Sequence, residues 1–167
     1  MKLTEFNALK EASMKEELTR CNGSSKWVQH MLGEAPYANM VELHEKADEY
    51  WDYCQNSDFL EAFTHHPKIG DVSSLKEKFA STASWSEGEQ SGVAVATEDL
   101  IEKLASLNDA YYDKHGFIFI VCATGKTASE MLEILEGRLP NSTDMEILQA
   151  AEEQRKITHL RINKLLS

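Results

Sequence analysis

The sequence predicts an all-α fold, and three observations carry that expectation. Apolar residues recur at helical spacing along most of the chain. Helix-capping residues and breakers punctuate them at short intervals. Only one segment, Phe117-Ile118-Phe119-Ile120-Val121-Cys122, has the aromatic and β-branched character of a strand, and it has no partner to pair with. The expectation is a single-domain helical bundle over residues 1–167, with one buried extended segment near 117–122.

The elements follow in order. Thr4 can cap a first helix running to about Arg20, with Phe6, Leu9, Met14 and Leu18 as its apolar contacts. Asn22-Gly23-Ser24-Ser25 ends it and starts a second helix carrying Trp27, Val28, Met31 and Leu32. Pro36 breaks the chain. Met40 to Cys54 places Leu43, Ala47, Tyr50 and Trp51 near helical spacing. Ser57 caps a short helix with Phe59, Leu60 and Phe63. Thr97 caps a longer one, with Leu100, Leu104, Leu107 and Tyr111 along a stripe, stopping at His115-Gly116. Thr127 with Glu130, and Thr143 with Glu146, have capping-box spacing and open helices at about 128–138 and 144–166.

Bulk properties narrow the function. The 167 residues can bury a core without staples. A net charge of −11 argues against nucleic acid and anionic membrane surfaces as partners, so an anionic ligand needs a local positive group. Three cysteines, Cys21, Cys54 and Cys122, with no C-x-x-C pair, suit free thiols in a reducing compartment. The start turns polar and acidic at once, and Lys164-Leu165-Leu166-Ser167 is not a peroxisomal address, so a cytoplasmic location is expected. The longest apolar run, Phe117 to Ala123, is too short to cross a bilayer.

Two motifs carry candidate chemistry. In His65-His66-Pro67-Lys68-Ile69-Gly70 the proline pushes the residue before it out of the α region. The helix from Ser57 must end near His65, and His66 projects from the break. As structure alone this is a helix stop with an exposed histidine; as function it is a positioned general acid or base. A metal is not expected, because adjacent histidines rarely ligate one ion and no H-x-x-x-H or Cys/His cluster occurs. Ser86-Glu87-Gly88-Glu89-Gln90 fits a capping box with Ser86 as cap and Glu89 at the third helical position. The same helix start also offers free amides to an anionic, amide-rich ligand. Arg161, in line with Ile157 and Leu165, either snorkels at the edge of an apolar stripe or faces a polar pocket as a fork for a carboxylate. Its neighbours Gln154, Arg155 and Lys156 read as a solvated face. Trp27, Trp51 and Trp85 read as core, and Cys122 as a buried thiol.

Taken together these segments resemble the 2-oxo-4-hydroxy-4-carboxy-5-ureidoimidazoline (OHCU) decarboxylase family. The residues that carry the resemblance are Phe6-Asn7, Cys21-x-Gly23-Ser24-x-x-Trp27, His66-Pro67-x-Ile69-Gly70 and Ser86-x-x-Glu89-Gln90. Tyr111-x-x-Lys114-x-Gly116-Phe117-x-Phe119-x-x-Cys122-Ala123 and Glu153-x-x-Lys156-Ile157-x-x-Leu160-Arg161 complete it. Family members often carry arginine after Cys-Ala, where this chain has Thr124, and a small residue or proline at Ile118.

The resemblance implies an all-α, cofactor-free and generally homodimeric enzyme that decarboxylates OHCU to (S)-allantoin in urate breakdown. It implies His66 and Glu89 as catalytic, with Ser86, Gln90 and Arg161 binding substrate. It also implies backbone contacts to substrate from Pro67, Phe119 and Ile120. The competing class is a non-enzymatic acidic helical interaction module. That class explains the charge and the helices but not Arg161 in its stripe or the extended aromatic segment.

Overall fold

The computed structural model describes residues 1–67 and 90–167, and for 90–97 the backbone alone. The described residues form eight helices and no strand. They are α1 Leu3–Asn7, α2 Glu11–Cys21, α3 Ser25–Glu34, α4 Met40–Asp52, α5 Asn56–Thr64, α6 Gln90–His115, α7 Ala128–Arg138 and α8 Thr143–Leu165. The all-α expectation holds, and residues 118–123 run as irregular chain with Ile120 and Cys122 buried.

Several boundaries differ from the expectation, each for a local reason. The first helix is two: α1 closes on Ala8 and α2 opens at Glu11, so Thr4 lies inside α1 and is no cap. Glu5 accepts the Lys2 N–H at 2.6 Å, satisfying the helix start from within. Ser57 likewise lies inside α5, which opens two residues earlier, with the Asp58 carboxylate accepting the Gln55 N–H at 2.9 Å. Thr97 is interior to α6, because Val93-Ala94-Val95-Ala96 before it holds no breaker. Ser142, not Thr143, caps α8, its hydroxyl accepting from Met145 N at 3.3 Å. Thr127 with Glu130 forms the expected capping box, and Ser24 caps α3 through Trp27 N at 3.3 Å.

The chain divides into two compact units. The first holds Met1–His66, Ile120–Cys122 and Ile147–Ser167. Its core is Phe6, Leu18, Trp27, Met31, Leu43, Trp51, Phe63 and Ile162, all at most 2% exposed. The indoles are satisfied as well as buried: Trp27 donates to Ala47 O and Trp51 to Ala151 O, both at 2.9 Å. Trp85 lies outside the described residues. The three cysteines are buried and form no disulfide among the described residues.

The second unit holds Pro67–Phe119 and Ala123–Glu146. Here α6 packs on α7, and Ile101, Leu104, Ala105, Met131, Leu132 and Leu135 are among the residues these helices bury. A buried polar cluster closes it. Glu146 accepts from Arg138 Nε at 2.8 Å, from Tyr111 Oη at 2.7 Å and from Asn141 Nδ2 at 3.0 Å. Burial would raise the Glu146 carboxyl, but these three donors outweigh it and hold the group below its ordinary range. The carboxylate is therefore the hub of an ion pair rather than half of a capping box.

Candidate active site

The first unit brings His66 and Arg161 together. Helix α5 ends at Thr64, and His65 serves as its cap, bonding back to Ala62 O and Phe63 O. The N–H of His66 still reaches Phe63 O at 3.3 Å, one turn back. Pro67 then rules out further helix. The backbone thus turns away where the sequence predicts, and the His66 ring is partly buried rather than splayed into solvent.

Gly23 fixes this corner from the other side. A Cβ on Gly23 would lie 2.3 Å from Cγ and 2.6 Å from Cβ of His65. Only glycine lets the α2–α3 connection and the end of α5 approach so closely. Asn22, Gly23 and Ser24 are all buried there.

Arg161 comes from α8. Its Nη2 donates to His66 Nδ1 at 3.5 Å and its Nη1 to Arg20 O at 3.2 Å. Arg20 O lies in the last turn of α2, where carbonyls lack intrahelical donors and the dipole favours a cation. The guanidinium is therefore anchored on one edge and presents the other to the imidazole. Burial lowers the Arg161 pKa from its ordinary value, against the influence of Cys21, whose own thiol burial pushes up to about 11. For His66, burial is the main cause of a lowered pKa, aided by the positive field of Arg161 and opposed by its hydrogen bond to Gln154. The imidazole rests neutral near pH 7.

The residue that sequence reasoning missed is Gln154. Its side chain is fully buried and its Oε1 meets His66 Nε2. The expectation of a solvated face at Gln154-Arg155-Lys156 is wrong for the first of the three. Arg155 bridges Asp48, Asp52 and Glu152, and Lys156 reaches Glu153 at 2.5 Å. The signal was present, since Gln154 falls in helical register with Ile147, Ala150, Ala151, Thr158 and Ile162, the face that α8 buries. The stripe through Ile157 and Leu165 is only its half-buried margin, which is where Arg161 sits.

Other expected site residues are placed as follows. Pro67 is exposed at the break. The Phe119 ring lies under the Arg138 guanidinium at 4.7 Å and edge-on to Tyr111 at 5.3 Å. Ile120 is buried in the first unit. Ser86 and Glu89 lie outside the described residues, and Gln90 is described as the first backbone position of α6. No group of three or more His, Cys, Asp or Glu among the described residues is arranged to hold a metal.

A helical scaffold that sets a neutral imidazole between a guanidinium and a buried amide defines a class of all-α proteins equipped for acid–base chemistry. The particular member is identified by comparison: the chain matches the model of the OHCU decarboxylase family over residues 7–163, and it belongs to that family. It is 37% identical over 155 residues to a bifunctional uric acid degradation protein of Arabidopsis thaliana, covering 91% of this chain and 47% of that protein. The chain thus spans about half the length of that curated relative. A crystal structure of OHCU decarboxylase in the presence of (S)-allantoin superimposes with a TM-score of 0.70 at 34% identity, over 90% of this chain and 97% of the other. A crystal structure of (S)-allantoin synthase shares the fold, with a TM-score of 0.70 at 18% identity over 98% of this chain and 54% of the other.

Proposed function

We propose that this chain decarboxylates OHCU to (S)-allantoin in urate degradation. The observation that carries the reading is the pairing of His66 with Arg161 in a chain that matches the family over nearly its whole length. That match also supports reading residues 1–167 as one such domain. A homodimer is the state the resemblance implies, a cytoplasmic setting is the one the sequence suggests, and no described helix is long and apolar enough to cross a membrane.

The chemistry asks for little beyond positioned groups. The bond from ring carbon to carboxylate breaks, carbon dioxide leaves, and the electron pair stays on the ring carbon. The adjacent conjugated nitrogen and carbonyl system takes up that charge, so no external electron sink is needed. One proton must then reach the carbon from one face. Substrate anion plus proton gives allantoin plus carbon dioxide, so the balance is a net uptake of one proton.

The site residues divide that work. The substrate carboxylate is drawn to the Arg161 guanidinium on the side that faces His66, a planar fork suited to it. Its negative charge offsets the guanidinium and raises the pKa of the otherwise neutral His66. His66 thereby takes up a proton as the anion binds and delivers it to the carbanion as general acid. Glu89 orients His66 or accepts a proton from a substrate hydroxyl or amide. Ser86 and the amides after it hold carbonyl oxygens, and Gln90 reads the ureido or ring amides, with backbone support from Pro67, Phe119 and Ile120. These roles rest on the family resemblance.

The test follows allantoin by circular dichroism, because uncatalysed decay of the substrate gives racemate. Wild-type protein should produce an (S) signal, and His66→Ala should abolish it. An (S) signal at the wild-type rate from His66→Ala sinks the assignment.

A further inference from the structure

We propose that Gln154 is a positioning residue which, with Thr158 and Asn22, locks His66 in the tautomer carrying its hydrogen on Nε2, leaving Nδ1 as the atom that exchanges the proton. This inference rests on the reading of His66 as the acid–base group.

One group in this chain of bonds has a role that is not open to choice. The backbone N–H of Ser24 can only donate, and it reaches Asn22 Oδ1 at 3.0 Å. That fixes the Asn22 amide, so its Nδ2 must be the end that donates to Thr158 Oγ1, at 3.3 Å. A threonine hydroxyl has one hydrogen and two acceptor sites. Thr158 places its hydrogen on Gln154 O at 2.8 Å. Its acceptor sites then take Asn22 Nδ2 and Gln154 Nε2, the latter at 3.2 Å. The hydroxyl is saturated, and the Gln154 amide can stand only one way round. Its Oε1 faces His66 Nε2 as an acceptor, so that nitrogen must bear hydrogen.

The opposite edge of the ring gives the same answer independently. Arg161 has no acceptor, so its Nη2 at 3.5 Å from Nδ1 requires a lone pair there. Asn22, Ser24, Gln154 and Thr158 are all at most 3% exposed, so water does not compete for these bonds. The titratable or charged groups around the ring among the described residues are Arg161 from α8 and His65 beside it. Both are positive when charged, and neither can supply the acceptor that Gln154 provides.

The placement has a consequence for catalysis. An imidazole in the other tautomer would present a hydrogen to Arg161 and would have no lone pair at the edge where the anion binds. Two variants perturb the chain of bonds without removing His66. Thr158→Val keeps the shape but lets the Gln154 amide turn over. It should lower kcat by about 10- to 100-fold, the loss that removing an outer partner of a metal-bound imidazole brings, with KM little changed. Thr158→Ser should restore kcat. Gln154→Glu puts a carboxylate on Nε2, which favours the imidazolium, so the alkaline limb of the pH–rate profile, where the general acid loses its proton, should move to higher pH.

The direct readout is ¹⁵N NMR of ring-labelled histidine in wild-type protein, with His66 assigned by its absence in His66→Ala. Above its titration, His66 should show the Nε2–H pattern. An Nδ1–H pattern, or wild-type kcat in Thr158→Val, overturns the proposal. Should Thr158→Val fail to fold, the wild-type spectrum and the Gln154→Glu profile still decide it. The two readings fail separately. Retained (S)-allantoin formation in His66→Ala sinks the catalytic assignment whatever the tautomer. An inactive His66→Ala with an Nδ1–H wild type sinks the relay alone.

Discussion

At the scale of single residues, the two faces of His66 set its behaviour. Burial and Arg161 both favour the uncharged ring, so the folded protein binds this proton less readily than the unfolded chain does. The sign follows directly. Above the ordinary value of 6.5 neither state is protonated at this site, and the group costs nothing. As pH falls from there toward the lowered folded value, only the unfolded state takes the proton, and stability declines. His115, lowered mainly by burial, adds a loss of the same sign in the same window. Thermal melts between about pH 7.5 and 5 should therefore fall less steeply for His66→Gln than for wild type, with the His115 share remaining. Parallel curves would mean that His66 titrates normally. The sequence could show that Pro67 aims His66, because the rule about residues before proline is local. It could not show that the ring is held neutral, because Gln154 and Arg161 lie 88 and 95 positions away.

At the scale of elements, helix ends do the positioning. The end of α5 carries His66, the end of α2 anchors Arg161, and the start of α3 with Asn22 fixes the polar chain behind them. The contact of Gly23 with His65 holds two of these ends together. Gly23→Ala forces His65 aside and should cost on the order of 1–3 kcal/mol, as overpacking does, while also displacing His66. Chemical denaturation and (S)-allantoin formation should fall together, whereas wild-type stability in this variant would show that the corner is loose. In the second unit the corresponding device is Glu146. Removing a partner from a buried ion pair typically costs ~3–5 kcal/mol, so Glu146→Ala should be destabilised by about that much in urea unfolding. A cost below about 1 kcal/mol, the worth of a surface pair, would show that the cluster is wet.

The sequence made the helices legible, and their starts less so. The stripes of α3 and α4, the break at Asn22-Gly23-Ser24-Ser25 and the capping box at Thr127 read directly, because period and cap lie within one segment. Thr4, Ser57, Thr97 and Thr143 misled, since each is a good cap residue while the acceptor actually used, such as Glu5, Asp58 or Ser142, lies nearby. Glu146 misled for a different reason: its partners Arg138 and Tyr111 come from other helices, and a tertiary ion pair overrides a local box.

At the scale of the whole molecule, charge separates the two functional classes. A chain of net charge −11 repels small anions unless a local cation is held out for them. Several described cations pair with carboxylates of the chain itself: Arg155 with Asp48, Asp52 and Glu152, Lys46 with Glu49, Lys103 with Glu136 and Arg138 with Glu146. Arg161 differs, since its recorded partners are a carbonyl and an imidazole, neither of them an anion. An acidic interaction module has no use for such a group, whereas a site for an anionic or carbonyl-rich small molecule needs it. Binding to the folded state alone stabilises by RT ln(1 + [L]/Kd), about 2.7 kcal/mol at a hundredfold excess over Kd. Allantoin or a urate analogue at saturating concentration should therefore raise Tm by several degrees for a domain of this size. Arg161→Ala should lose most of that shift while keeping its ligand-free Tm close to wild type, because the guanidinium is only half-buried. No shift in wild type favours the interaction module, and an equal shift in both proteins places the ligand away from Arg161.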